Sequence, residues 1–155
     1  MNNRGKQFEQ KFALDIKKSF PDGLLIRLPD QQSGYKMSSQ NLCDFLFFRY
    51  PILYCIEVKS HKGNTFPFTC LPQYSKLTSK VGIKGVRAGV VLWFIDHDQV
   101  IYAPISTITK MKEDGKKSIN VKELDDYHLI KLPGQKKRVF VECDYRVLKD
   151  LDEGD

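Results

Sequence analysis

A near-continuous apolar run at residues 88–95 is the strongest limit on how this 155-residue chain can fold. A strand with one solvated face alternates apolar and polar side chains, and this run does not, so it predicts a strand buried on both faces. Residues 5–20 predict a helix, because apolar side chains recur every four positions from Phe8 to Phe20. Together these patterns predict an α/β domain with a central mixed β-sheet flanked by helices.

Two more apolar runs, at residues 44–48 and 52–60, are separated by a short turn and predict a β-hairpin. In an antiparallel pair the start of one strand lies beside the end of the other, which places Asp44 near Glu57. Side chains two positions apart in a strand share a face, so Glu57 and Lys59 point the same way. The hairpin therefore predicts two carboxylates and an ammonium at one place.

The remaining segments complete a single domain over residues 1–149. Strands are predicted at 24–28, 99–103, 128–132 and 138–143, and helices at 72–81, 105–112 and 121–125. The polar segment 30–41 is longer than most connections within a domain, and such loops are usually functional or disordered. The acidic tail, residues 150–155, is expected to be disordered.

Two carboxylates beside an ammonium suit metal-assisted phosphodiester hydrolysis. A divalent cation stabilises charge on the phosphate and lowers the pKa of water. Magnesium prefers hard oxygen ligands, so Asp44, Glu57 and the carbonyl of Val58 form a candidate magnesium site, with manganese as a possible substitute. Lys59 would orient the attacking water or offset negative charge. An ordinary Glu/Lys pair on a solvated strand face has the same spacing, but Glu57 shares its face with apolar residues, where charge requires a reason.

Charge favours a polyanionic partner. The formal net charge is +6 with a pI near 9.1, and four of the acids lie in the acidic tail, so the rest of the chain is more basic still. The expected phosphate contacts are basic side chains along the chain, namely Arg4, Lys36, Lys62, Lys80 and the loop cluster 136–138. DNA bound through such contacts should be released by salt.

Cysteine spacing and the lengths of the apolar runs indicate the cellular compartment in which the protein works. The four cysteines are too far apart for a metal knuckle and are expected to be reduced and structural. The N-terminus lacks the apolar stretch of a signal peptide, and no apolar run is long enough to span a bilayer, so the protein is expected to be cytoplasmic. His97 lies between two aspartates, where a turn and a metal site are both open interpretations.

A pattern of residues extends along nearly the whole chain: Asn3-Arg4-Gly5, Phe8-Glu9, Asp44, Glu57-Val58-Lys59, residues 65–68, Gln73, residues 114–119 and Glu123-Leu124. Taken in this order, these residues resemble the RecU family of Holliday-junction resolvases, members of the PD-(D/E)xK nuclease superfamily. The sequence departs from the family in a shorter 30–41 segment and in Cys43, where a hydroxyl residue is expected. The short N-terminus and short segment would suit a phage-encoded member.

The resemblance implies a restriction-endonuclease-like fold and a homodimer whose two magnesium-dependent active sites cut opposed strands of a four-way DNA junction. It makes Asp44, Glu57 and the Val58 carbonyl the metal ligands, Lys59 the catalytic lysine and Gln73 a positioner of water or phosphate. Glu9 corresponds to the first-helix acid that supports the metal site, although its place at the border of the helix face also allows it to point to water. The segment 30–41 corresponds to the family's stalk at the junction centre.

Two other functions remain open at this point. A general or restriction-type endonuclease could use the same scaffold, and the short stalk segment favours it. A non-catalytic recombination factor that binds junctions would also need a basic surface. Loss of cleavage on mutation of Asp44 or Glu57 separates an enzyme from a binding factor.

Overall fold

The computed structural model describes residues 3–29, 41–137 and 140–151. The helices are α1 (Arg4–Ser19), α2 (Tyr74–Thr78) and α3 (Ile105–Glu113), and short 3₁₀ turns cover Phe68–Cys70, Ile95–His97, Val121–Asp126 and Arg146–Leu151. The strands are β1 (Leu24–Arg27), β2 (Phe45–Arg49), β3 (Ile52–His61), β4 (Thr65–Pro67), β5 (Val86–Phe94), β6 (Gln99–Pro104), β7 (Ser118–Asn120), β8 (Ile130–Lys131), β9 (Gly134–Lys137) and β10 (Phe140–Cys143).

Six strands form the central sheet, in the order β1-β2-β3-β5-β6-β8. Only β3 and β5 are parallel; the other neighbours are antiparallel, so the mixed sheet predicted from sequence is confirmed. Strand β5 is buried along most of its length, as its apolar run indicates. Two small ribbons, β4 with β7 and β9 with β10, complete the fold.

Helix α1 covers one face of the sheet. Its first turn is capped by the Asn3 side chain, which accepts a hydrogen bond from the Lys6 N–H at 3.4 Å. Its apolar stripe packs on β2 and β5, with the Phe12 and Phe45 rings 5.0 Å apart and Phe8 against Trp93 at 5.2 Å. The opposite face packs on α2, α3 and the β4–β7 ribbon.

The predicted hairpin is confirmed, with Phe45 aligned to Ile56 and Arg49 to Ile52. The helix predicted over 72–81 is wrong in length, because regular helix covers only Tyr74–Thr78. Hydroxyls there bond to nearby carbonyls, Thr78 to Tyr74 O and Ser79 to Lys76 O, and such bonds compete with helix continuation.

The C-terminal predictions need further correction. The cluster 136–138 was expected on a loop, but its first two residues lie in β9, paired with β10. Val141 and Cys143 of β10 pack into the core on the α1 side of the sheet. The backbone N–H and C=O groups of β10 therefore need hydrogen-bond partners, which strand β9 supplies. The strand predicted at 128–132 shortens to Ile130–Lys131, and the helix at 121–125 is a 3₁₀ segment.

Several predictions fall outside the described residues, namely most of the stalk segment with Lys36, Arg138 of the basic cluster, and most of the acidic tail. Within the part of the chain that the structure describes, the helices are too short or too polar to cross a bilayer.

Candidate active site

Asp44 lies one residue before β2 and continues the hairpin by two different bonds. Its N–H donates to the Ile56 carbonyl at 3.2 Å, and its side-chain Oδ2 accepts from the Val58 N–H at 2.8 Å. Where the backbone pairing of β2 with β3 ends, the Asp44 carboxylate takes the place of a backbone carbonyl as the acceptor for the Val58 N–H. This bond fixes the Asp44 carboxylate beside the Glu57–Lys59 segment.

Glu57 is the most buried acid near this hairpin end, with 3% of its surface exposed. Burial and then the neighbouring Asp44 carboxylate raise the pKa of Glu57 to about 8, while Lys59 acts in the opposite direction. The Lys59 Nζ lies 3.4 Å from Glu57 Oε1. Without a cation the Glu57 carboxyl thus holds a proton through much of the neutral range.

The Val58 carbonyl is aimed at the same place. In an extended strand the N–H and C=O of one residue lie on the same edge. Since the Val58 N–H bonds to Asp44, the Val58 C=O also points away from β5, past the end of β2. Two carboxylates and one carbonyl oxygen therefore converge at the end of the hairpin.

This donor set suits a hard divalent cation. The described residues contain no group of three or more His, Cys, Asp and Glu side chains that could hold a metal, and the hairpin end supplies two acids and a main-chain oxygen instead. A magnesium ion completes such a set with waters, so few protein ligands are required. A dication would also offset the burial and the close approach of the two carboxylates, which together raise the pKa of Glu57.

Gln73 precedes α2 on the sheet face that carries Glu57. The helix is held on this face by Leu77, which is fully buried in the same cluster as Cys55 of β3. Gln73 Oε1 is buried and has no hydrogen-bond partner among the described residues. A buried acceptor of this kind requires a water or ligand donor to satisfy it.

Glu9 lies on the other side of the sheet. Its Oε2 accepts a hydrogen bond from Arg27 Nη2 at 2.9 Å, and Arg27 is aligned with Phe45 beneath α1. Glu57 points to the opposite face, since its strand neighbours Ile56 and Val58 face α1. Within the described residues the structure does not bring Glu9 into one acidic group with Asp44 and Glu57.

Three of the predicted DNA contacts lie beside strand β3. Lys62 directly follows β3 and is exposed. Arg4 begins α1, where a side-chain carbon added at Gly5 would lie 3.8 Å from Ser60 Oγ of β3. Lys80 follows α2 and is close enough to Cys55 to lower its pKa, after the larger influence of Cys43.

The turn interpretation of residues 96–98 is the one the structure supports. Asp98 has the left-handed φ of 47° that closes the β5–β6 connection. Asp96 Oδ2 accepts from the Gly63 N–H at 2.8 Å, and His97 Nε2 lies 2.6 Å from Asn64 Oδ1. These side chains tie the turn to the loop after β3.

Sequence reasoning overlooked His61, which neighbours the site. His61 lies on the same strand face as Glu57 and Lys59, as the alternation of side chains along β3 predicts. Its ring packs edge-on against that of Phe66, with the ring centroids 5.5 Å apart. Cys43 and Cys55 are buried free thiols beside the acids. A hydrogen bond with Cys55, then burial, raises the pKa of Cys43, so this thiol stays protonated.

A mixed sheet with an acidic hairpin end, flanked by helices on both faces, is the restriction-endonuclease-like fold. No protein-family model matches the sequence, and no curated protein matches it. Among solved structures the chain is similar to Hjc from Archaeoglobus fulgidus, a Holliday junction resolvase from an archaeal hyperthermophile. The TM-score is 0.58 at 18% identity, over 79% of this chain and 93% of that one, which establishes the likeness of fold.

Proposed function

We propose that this protein is a metal-dependent, structure-selective endonuclease that resolves four-way (Holliday) DNA junctions by paired symmetric nicks during recombination. The observation that carries the proposal is the buried Glu57 carboxylate held beside Asp44 and Lys59 at the end of the hairpin. Buried acids with raised pKa values occur mostly at functional sites. The likeness of fold to a junction resolvase supports the choice of substrate.

Asp44, Glu57 and the Val58 carbonyl would hold Mg²⁺, or Mn²⁺ in its place. The cation supplies positive charge for the phosphate in the transition state and lowers the pKa of water. Lys59 stays close to the acids through its 3.4 Å contact with Glu57, where its ammonium offsets charge that develops on the phosphate. Gln73 Oε1 is a buried acceptor without a hydrogen-bond partner among the described residues, so it would accept a hydrogen bond from the attacking water and position it.

Substrate binding would rest on the basic side chains around the hairpin end. Arg4, Lys62 and Lys80 would contact phosphates, together with Lys36 and the cluster 136–138. Phosphate contacts position DNA without reading sequence, which suits recognition of a branched shape. The stalk segment 30–41 would enter the junction centre.

Two symmetric nicks require two active sites related by a twofold axis, which a homodimer supplies. The residue pattern supports a RecU-type enzyme with a cytoplasmic location, and the short 30–41 segment would suit a phage-encoded member. A supporting role for Glu9 would have to act through Arg27, its partner at 2.9 Å, across the sheet from Glu57.

The test is cleavage of a labelled mobile four-way junction beside a linear duplex of the same sequence, with magnesium or with EDTA. We expect paired symmetric nicks in the junction only, and loss of cleavage in EDTA. Asp44→Ala should abolish cutting and keep junction binding, because Asp44 is a ligand and not a phosphate contact. The matched control is Asp125→Ala, which removes an exposed aspartate paired with Lys131 and should cut normally.

Other outcomes would select the alternatives. Equal cutting of junction and duplex would indicate a general or restriction-type endonuclease. Tight junction binding with no cutting in magnesium or manganese would leave the non-catalytic binding factor. Normal cutting by the Asp44→Ala variant would contradict the proposed site.

A further inference from the structure

Gln73, the residue proposed to position the attacking water, lies at the start of a very short helix. Helix α2 has only five residues, and its first hydrogen bond runs from the Leu77 N–H to the Gln73 carbonyl at 3.0 Å. A helix of this length is not stable by itself in water, so contacts with other elements must hold it. The place of Gln73 therefore depends on what anchors α2.

The sheet supplies one anchor for α2. Leu77 is fully buried and belongs to the same apolar cluster as Val90 and Leu92 of β5. Apolar packing is not directional, so this contact fixes how deeply α2 lies on the sheet more than how it is turned. A directional contact closer to Gln73 is needed to fix the orientation of the helix.

Tyr74 makes that directional contact. It is the residue next to Gln73, and its hydroxyl lies 2.8 Å from Thr109 Oγ1 on α3. The Lys112 Nζ lies 3.9 Å from the centre of the Tyr74 ring, within the range of a cation–π interaction. Thr109 and Lys112 are three residues apart, so they share one face of α3. One helix thus holds both the hydroxyl and the ring of Tyr74.

Helix α3 is a firm support for this contact. Its buried side chains include Ile105, Ile108 and Met111, and the helix packs on β5 and β6. Strand β5 pairs with β3, which carries Glu57. A side chain held by a packed helix keeps its position more accurately than one on a loop. Helix α3 can therefore set the position of Gln73 relative to the acids.

We propose that Tyr74 is a positioning residue of the active site, through which α3 holds Gln73 where its side chain meets the attacking water. The inference rests on the proposed function, because Tyr74 acts only through Gln73. Gln73 Oε1 is buried and has no hydrogen-bond partner in the described part of the chain, so no side-chain bond directs it. Its position is then set by the backbone at the start of α2, which Tyr74 fixes.

The first experiment measures the single-turnover rate of junction cleavage by Tyr74→Phe. This variant keeps the ring beside Lys112 and loses the hydroxyl that meets Thr109. We expect the rate to fall by about 10-fold, because small displacements of a positioning group are costly. Junction affinity in EDTA should be unchanged, because the Tyr74 hydroxyl faces α3.

Thr109→Val removes the other partner of the same hydrogen bond and should give the same loss. The double variant should lose no more than either single variant, because all three lack the same bond. The matched control is Tyr127→Phe, which removes a tyrosine hydroxyl that donates to Asp114 at the end of α3, at 2.9 Å. This control should cut at the wild-type rate.

The Gln73→Ala background separates positioning from general support of the fold. Once Gln73 is removed, Tyr74→Phe should cause no further loss of rate, because its effect passes through that side chain. An equal loss in both backgrounds would overturn the inference. Wild-type rates for either Tyr74→Phe or Gln73→Ala would also overturn it.

Hydrogen exchange tests the contact without cleavage. Amide exchange over residues 73–78 should be faster in Tyr74→Phe and Thr109→Val than in the wild type or Tyr127→Phe. Unchanged exchange in both variants would overturn the inference whatever the cleavage rates are. A wild type that cuts no junction would contradict the proposed function, and the exchange rates would still decide whether α3 holds α2 through Tyr74.

Discussion

The buried acid of the hairpin carries a free-energy cost in the metal-free protein. Glu57 has lost its water and lies beside Asp44, and Lys59 offsets only part of that cost. The folded protein therefore favours the protonated carboxyl. A site that is costly without its ligand is a common feature of binding centres.

This cost predicts a pH dependence of stability. The pKa of Glu57 is about 8 in the folded protein, against an ordinary value of 4.5. In EDTA the contribution of Glu57 to the free energy of unfolding is therefore fully present below about pH 4.5 and is lost as the pH rises through 8. Glu57→Gln keeps the shape without the charge and should raise the free energy of unfolding at pH 8 by a few kcal/mol, at about 1.4 kcal/mol per pKa unit. Urea denaturation across this pH range measures it.

The matched control is Glu123→Gln, which changes an exposed glutamate and should leave the pH profile as it is. Magnesium should stabilise the wild type more than the Glu57→Gln variant, because the neutral amide is the weaker ligand. A Glu57→Gln variant no more stable than wild type at pH 8 in EDTA would contradict the account.

Among the elements, α1 is joined to the C-terminal ribbon by one buried acid. Asp15 is almost fully buried, accepts from the Cys143 N–H at 3.0 Å and pairs with Lys11 at 2.8 Å. Beside it, Ser19 Oγ accepts from the Tyr145 N–H at 3.0 Å. The ribbon's hold on the helix is therefore polar as well as apolar.

Asp15→Ala should destabilise the protein by about 2–4 kcal/mol, because it leaves the buried Cys143 N–H without its acceptor. Urea denaturation gives the free energy, and hydrogen exchange over residues 140–148 should rise first. The control Asp125→Ala breaks an exposed pair with Lys131 and should cost under about 1 kcal/mol. Equal losses in both variants would contradict the anchoring role of Asp15.

The whole molecule carries a net charge of +6, and the proposed function predicts that this charge binds DNA. Neutralising phosphates releases counterions, so the logarithm of the binding constant should fall linearly with the logarithm of salt concentration. Lys62→Ala and Lys80→Ala should each reduce that slope by about 0.9 and weaken junction and duplex binding alike. Fluorescence anisotropy in the presence of EDTA measures binding without cleavage.

The control for this prediction is Lys18→Ala, at the last turn of α1 and paired with Glu142, away from the hairpin end. Its slope should equal that of the wild type. If all three lysine variants behave alike, the binding surface lies elsewhere on the molecule.

The local part of the site was predictable from sequence. Period-two alternation places Glu57 and Lys59 on one face, and a short turn between two strands sets the register that brings Asp44 beside Glu57. Both rules act within one hairpin. The bond from the Val58 N–H to Asp44 follows once that register is set.

Longer-range pairings were not predictable. The β4–β7 ribbon joins Phe66 to Ile119, and each segment is three residues long, too short to show a period. Strand β9 is built from lysines and a glutamine that favour a loop by composition, yet β10 pairs with it to satisfy its backbone. In each case the pairing depends on contacts beyond the short stretch of sequence in which a local pattern could be read.

The sequence by itself determined the hairpin, its acidic end and the helical face of α1, because each depends on residues close together in the chain. Only the tertiary structure decided that α1 docks on the sheet face away from Glu57, which pairs Glu9 with Arg27. It also decided that Leu24, Ile26 and Phe48 form one exposed surface. Side-chain periods mark which residues share a face, but packing between distant elements chooses what covers that face.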